Sequence, residues 1–269
     1  MISLCWSTRS GLPSLSTVAA LVLVFGVLTL TAPIVEISVY RIVGAMLPAL
    51  QYLSHLLVTP DWDYLPQLGK KMLETVEMTL LGTAVATALS FPMGILAARN
   101  ASPNPIVFFL FRNLLSLVRA LPELVWALVF ISAVGLGPLA GVMAIALVTV
   151  GFMGKFIAES IEVVDNKAIE GVKATGARHS QIIRYAMFPQ AVPDFIGTLL
   201  YILDHNLRAA AILGMVGAGG IGYDMVMSMR LFQYNRIIMI IVSIYVLVTL
   251  LDRLSNNLRR RAIGKTFIG

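Results

Sequence analysis

Glu123, Asp204, His205, Asn206 and Arg208 stand within or beside otherwise apolar stretches. Ionisable groups at such depth are costly in hydrocarbon and normally face a bundle interior or water. Asp204 and Arg208 are four apart, so they share one helix face. The pair can neutralise itself, or it can pin its helix to Glu123. A third use is a pathway one: a guanidinium matches a phosphate-like oxyanion in geometry and charge. Catalysis is not expected. His55, His179 and His205 are scattered without ligand spacing, so no metal site is expected. Cys5 is the sole cysteine, which excludes an intrachain disulfide. The chain has no G-x-S-x-G, no Ser/His/Asp set and no P-loop, so it should not hydrolyse ATP and should carry no cofactor.

A second group of residues is structural in type. Gly217-Ala218-Gly219-Gly220-Ile221-Gly222 formally satisfies G-x-G-x-x-G. A dinucleotide site needs a preceding strand and a soluble βαβ unit, and neither is expected here. Glycines at Gly217, Gly219, Gly220 and Gly222 would instead permit a gate or pathway wall, with exposed N–H groups lining an anion-attracting concavity. Between apolar segments lies a polar, basic loop, Ile169 to Pro193. Val164–Thr175 can form a short helix with a small apolar face at Ala168, Val172 and Thr175. Gly176 supplies a left-handed exit. Residues 177–188 are expected as a second short helix, and Pro189 suits the first turn of the span that follows.

The elements that must position these residues are membrane spans. Of 269 residues 58% are hydrophobic and only 13% charged, about half the charged share of soluble domains. Mean hydropathy is +0.86. Residues 10–35 and 78–98 carry no charge, and each stretch can cross a core of about 30 Å as a helix. Six spans are expected, near 10–35, 72–98, 114–134, 139–157, 190–213 and 236–254, the third with a tilted or elbow-like entry. Tyr40, Val43, Leu47, Leu50 and Leu53 suggest an interfacial helix within 37–71, followed by a turn with interface aromatics at Pro60–Tyr64. Arg99 to Pro105 stops the second span, and Gly135–Pro138 is a tight turn. No alternating strand pattern occurs, so the fold class is an all-α integral membrane bundle.

The net charge of +6 has a topological reading and does not point to nucleic acid. Most of the 20 lysines and arginines fall in segments that six spans place on one side, including Arg99, Arg112, Arg119, Lys167, Lys173, Arg178 and Arg184. That side is the cytoplasm, with both termini there.

The loop resembles the "EAA" loop of ABC importer permeases, whose pattern is Glu-Ala-Ala, three residues, Gly, nine residues, then Ile-x-Leu-Pro. Glu170, Gly171 and Val172 stand at Glu-Ala-Ala, Gly176 at the glycine, and Ala186, Phe188 and Pro189 at the closing positions. Glu, Gly and Pro match in register; the small pair and the two apolar positions differ. The stretch from Asn206 through Gly214 to Gly222, with Val134–Gly141, resembles the phosphonate and phosphite branch of these permeases. Methionine-type permeases carry a related glycine stretch. The resemblance covers about residues 70–255.

It implies a type I importer bundle, with an N-terminal helix and outer segment over 1–70, a permease core over 71–256 and a basic cytoplasmic tail over 257–269. It implies a multi-pass protein of the bacterial inner membrane, in contact with lipid. The expected partners are a second copy of the chain, two ATPase subunits that hold ATP and Mg, and an extracytoplasmic binding protein. Glu170, Gly171, Val172, Ala174, Thr175, Gly176, Ala177 and Pro189 become the ATPase-coupling residues. Glu123, Asp204, Asn206 and Arg208 with the glycine run become the pathway or gate. Transport of phosphonate or phosphite by alternating access is the implied activity. A permease for methionine or another small solute, or a stand-alone ion-coupled carrier using Glu123, Asp204 and Arg208, are the alternatives. An intramembrane hydrolase lacks a nucleophile and base in register.

Overall fold

The computed structural model describes residues 15–31, 39–56 and 59–263. Cys5, Arg9, Lys265 and the two ends of the expected first span lie outside the described residues. The chain forms two units, Met1–Leu57 and Val58–Gly269.

The first unit holds α1 (Leu15–Thr31) and α2 (Val39–Leu56). The α1 helix is apolar all round, and its Thr29 hydroxyl donates to the Phe25 carbonyl at 3.0 Å. A polar side chain satisfied within its own helix suits a lipid setting. The described part of α2 is exposed along its length, with Tyr40, Val43, Leu47 and Leu50 all outward.

The second unit is helical throughout its described residues. A 3-10 turn at Trp62–Tyr64 leads into α3 (Leu65–Leu96), which begins a full two turns before the expected second span. Then come α4 (Pro105–Ala120), α5 (Glu123–Val134), α6 (Pro138–Glu162), α7 (Asn166–Ala174), α8 (His179–Ile182) and α9 (Phe188–Leu213). The chain closes with α10 (Gly220–Arg230) and α11 (Tyr234–Ile263). The last helix therefore runs well past the expected end of the sixth span.

Two expectations need correction. The third span is not one helix: α4 and α5 meet at 88°. Pro122 has no N–H to donate and forces the preceding Leu121 into extended backbone, at φ −103° and ψ 140°. Among the described residues four helices are long and apolar enough to cross a membrane, five if the bent pair counts as one span, and α1 is a shorter apolar helix. Nor is 177–188 a separate helix. A π turn at Ile183–Met187 joins α8 to α9, and helix runs on from His179 to a kink at Gly217.

The core sits where α3 and α6 press together. A Cβ on Gly94 would lie 2.7 Å from Ile157 Cβ, so that face of α3 must stay bare. Small residues at helix contacts let backbones approach, which in a membrane replaces the missing hydrophobic drive. Leu115 of α4 seats against Gly154 of α6 in the same way. Outside this core Leu80, Leu81, Leu89, Val242, Tyr245, Val246 and Leu250 are exposed, as a lipid-facing surface requires.

Candidate functional site

One end of the unit carries the polar loop. Asp165 caps α7, its carboxylate accepting from the Lys167 N–H at 3.0 Å. Thr175 closes the helix and Gly176 leaves it at φ +76°, a conformation that resists a side chain. Glu170, Gly171, Ala174, Thr175 and Gly176 are exposed, while Val172 and Ala177 are half-buried. Val172 and Ile169 root the knob on the core beneath; Thr175, expected on that face, points out. His179 Nε2 lies 2.8 Å from the Ala101 carbonyl, and Glu162 accepts from Arg112 at 2.7 Å and from the Arg99 N–H at 2.9 Å. The α7 knob is thus held on a hydrogen-bonded base. Pro189 lies in the first turn of α9, exposed, as expected.

At the other end the glycine run is a π turn, Gly214–Ala218, followed by α10. Gly217, Gly219 and Gly220 have φ of +108°, +81° and +67°. Two N–H groups of the run are taken by side chains and are not open to an anion. The Gly220 N–H donates to Glu74 Oε1 at 3.0 Å and the Ile221 N–H to Thr75 Oγ1 at 2.9 Å. Glu74 also holds Lys71 at 2.7 Å. The carboxylate sits at the N-terminus of α10, where a negative charge is stabilised. Gly137 N–H donates to the Gly217 carbonyl at 3.0 Å, so the turn before α6 is tied to the same place. At Gly222 a Cβ would lie 1.8 Å from the Ala211 carbonyl oxygen, so α10 can lie against α9 only because that residue is bare. Glu74 and Thr75 escape sequence reasoning because their partners are 146 residues away.

Between the ends lies a polar centre. Asn206 is 4% exposed. Its amide donates to Thr83 Oγ1 at 2.8 Å and to Thr149 Oγ1 at 2.9 Å, and its carbonyl oxygen lies 3.1 Å from the Thr149 hydroxyl. One side chain so ties α9 to α3 and α6. Beside it a cavity of about 140 Å³ is lined by Glu123, Thr149, Phe152, Tyr201, His205 and others. Glu123 faces His205 there at 3.9 Å.

The structure therefore brings Glu123 and Asn206 to one cavity but takes Asp204 and Arg208 elsewhere. Arg208 donates to the Asp204 carboxylate and, at 3.3 Å, to Asp252 of α11. The charged pair is real. The partner expected for it, Glu123, is replaced by Asp252, because residues 204 and 208 face α11 while His205 and Asn206 face the cavity. Thr83 and Thr149 went unnoticed in the sequence, although α3 carries Thr75, Thr79, Thr83 and Thr87 at four-residue spacing. Among the described residues no cluster of potential metal ligands occurs.

The family model for binding-protein-dependent transport system inner membrane components matches residues 90–264. The chain is 38% identical over 238 residues to a phosphite transport system permease protein of Stutzerimonas stutzeri, covering 88% of this chain and 86% of that one. It is 39% identical over 208 residues to a phosphate-import permease protein of Mycolicibacterium smegmatis, covering 77% of this chain but 39% of that longer one. A solved inward-facing methionine ABC transporter shares the fold at a TM-score of 0.66 and 19% identity, over 75% of this chain and 99% of that one. An exposed helical knob, a multi-span helical bundle and these likenesses agree: the chain belongs to the binding-protein-dependent transport inner membrane components, the non-catalytic permease subunits of ABC importers.

Proposed function

We propose that this chain carries phosphite, phosphonate or a related phosphorus oxyanion across the bacterial inner membrane, as a homodimer. Two ATPase subunits dock on the α7 knobs and an extracytoplasmic binding protein delivers the anion at the glycine-rich end. ATP and Mg act in the ATPase subunits. The knob end, the basic tail within 257–269 and both termini face the cytoplasm, and residues 71–256 form the permease core.

The observation that carries the reading is continuity. The helix from His179 to Ala218 begins beside the exposed α7 knob and ends in the glycine-rich turn. ATP-driven approach of two knobs would move that turn in both copies, and Glu170 through Ala177 with Pro189 are the coupling residues. Gly217, Gly219, Gly220 and Gly222 form the outer gate, latched by Glu74. Glu123 lines the path, Asn206 stands at its dry edge tying α9 to α3 and α6, and Asp204 and Arg208 brace α9 on α11. The anion class is supported by relatives named for phosphite and phosphate import; the methionine importer's likeness extends to the fold alone.

The test is purification of the tagged chain with its ATPase and binding protein, followed by ATP-dependent uptake of phosphite, methylphosphonate, phosphate and methionine into proteoliposomes. Uptake of a phosphorus oxyanion alone supports the reading; methionine uptake, or no co-purifying ATPase, sinks it. Gly176→Asp should insert and assemble yet lose most uptake. No Cβ contact arises there, so the cost is about 1 kcal/mol of backbone strain plus a misplaced charge on the docking face.

A further inference from the structure

The structure singles out a different cation from the one the sequence suggests. Arg119 stands in the last turn of α4, just before the break at Leu121–Pro122. Its stem lies across bare Gly151 of α6, where a Cβ would meet Arg119 Cγ at 2.9 Å. Its guanidinium carbon rests 4.5 Å from the centroid of the Phe152 ring. Phe152 is in turn a wall of the cavity that holds Glu123, Thr149, His205 and Asn206.

Three other arginines of this unit have carboxylates: Arg112 has Glu162, Arg208 has Asp204 and Asp252, and Arg236 has Asp61. Among the described residues Arg119 has no ion pair, and its Nε is buried without a hydrogen-bond partner. A guanidinium inside a span is normally paired or faces water. A ring face returns about 0.5–2 kcal/mol, less than the several kcal/mol that an ion loses on leaving water. Its two terminal nitrogens are not buried and have no partner among the described residues, so they are free to take an anion.

We infer that Arg119, stacked on the Phe152 ring that walls the cavity, is the cation that meets the transported oxyanion. A guanidinium offers two parallel N–H donors to a tetrahedral phosphorus oxyanion. Phe152 holds the guanidinium at the cavity wall, and Glu123, the carboxylate of that cavity, stands toward His205 and makes no ion pair with Arg119. Arg208, already shared between two carboxylates, is left as a structural brace. This inference rests on the chain being a phosphorus-oxyanion importer.

The experiment uses the full complex in proteoliposomes, comparing wild type, Arg119→Met and Arg119→Lys. Methionine keeps the stem packed across Gly151 and removes the charge. Arg119→Met should cut phosphite uptake at least about tenfold, the scale of one lost charged hydrogen bond, with Arg119→Lys recovering part of it. Uptake by Arg119→Met within a factor of about two of wild type overturns the inference. A second measurement needs no variant. Phenylglyoxal modification of the wild-type complex, read by peptide mass spectrometry, should be slowed at Arg119 by millimolar phosphite and unchanged by phosphite at Arg208. Equal modification of Arg119 with and without phosphite overturns it. If wild type imports no phosphorus oxyanion at all, the functional reading falls and this inference with it. If wild type imports phosphite and Arg119 is indifferent, only this inference falls.

Discussion

Replacing Asn206 tests whether the centre of the bundle is dry and tied by one side chain. Three hydrogen bonds connect it to Thr83 and Thr149. Interhelical side-chain hydrogen bonds in membranes average about 0.6 kcal/mol, so together they contribute about 2 kcal/mol. Asn206→Leu forfeits that amount, but the threonine hydroxyls can turn back to their own helices, as Thr79 and Thr87 already do. The substitution should therefore cost no more than about 2 kcal/mol. Asn206→Asp is nearly the same shape and should cost more at neutral pH. A carboxylate at a site 4% exposed must stay charged without water or take up a proton. Protonating an ordinary aspartate at pH 7 costs about 4 kcal/mol, which bounds the loss. The folded state then binds the proton more tightly than the unfolded one, so stability should return as the pH falls toward 4. Thermal unfolding in detergent at pH 7 and pH 5 reads both effects. An aspartate variant as stable as wild type at pH 7 would refute the reasoning, since it would mean that water reaches the centre. A double-mutant cycle of Asn206→Ala with Thr83→Val should show coupling of about 0.6–1.7 kcal/mol.

Gly222→Ala should lower the unfolding temperature sharply, because its methyl would strike the Ala211 carbonyl, a backbone atom that cannot swing away; about 1–3 kcal/mol is the usual cost of such overpacking, and an unchanged transition would contradict it. Glu74→Ala frees the Gly220 N–H, and a cysteine placed at Val216 in a Cys5→Ser background should then label about tenfold faster with an impermeant maleimide. Equal labelling would mean that Glu74 does not latch the turn. Arg208→Ala leaves Asp204 and Asp252 facing each other, so yield of assembled complex should fall along with uptake. Normal assembly with uptake alone lost would return Arg208 to the pathway.

The parts legible in the sequence were those fixed by neighbouring residues. Gly176 ends α7 because a left-handed residue is a local demand, and Pro189 falls in a helical first turn for the same reason. The second short helix failed because a π turn at Ile183–Met187 carries the helix through, and no residue type announces that. Pro122 and the arginines before it mark an elbow-like entry to the third span in the sequence, but not its 88° angle; hydropathy counts residues and is blind to direction. Arg112 and Arg119 were weighed only as topological charges. Their difference, one paired with Glu162 and the other resting on Phe152, depends on which residues of α6 each meets along α4. Glu74 was legible as a charge and illegible as a latch, since nothing in a chain marks a carboxylate for a backbone N–H so far along it.

The helix from His179 to Ala218 has a mechanical consequence. At 1.5 Å per residue, the 26 residues of α9 between its two π turns make a strut about 39 Å long. A strut has no slack. If the knob couples to an ATPase as proposed, a push there would arrive at the glycines as displacement, with no chain of intermediate repackings between them. What can yield are the two π turns, Ile183–Met187 near one end and Gly214–Ala218 at the other, which act as joints. A lever with a joint at each end can tilt without bending. Stiffening either joint would therefore leave both ends intact and still uncouple them.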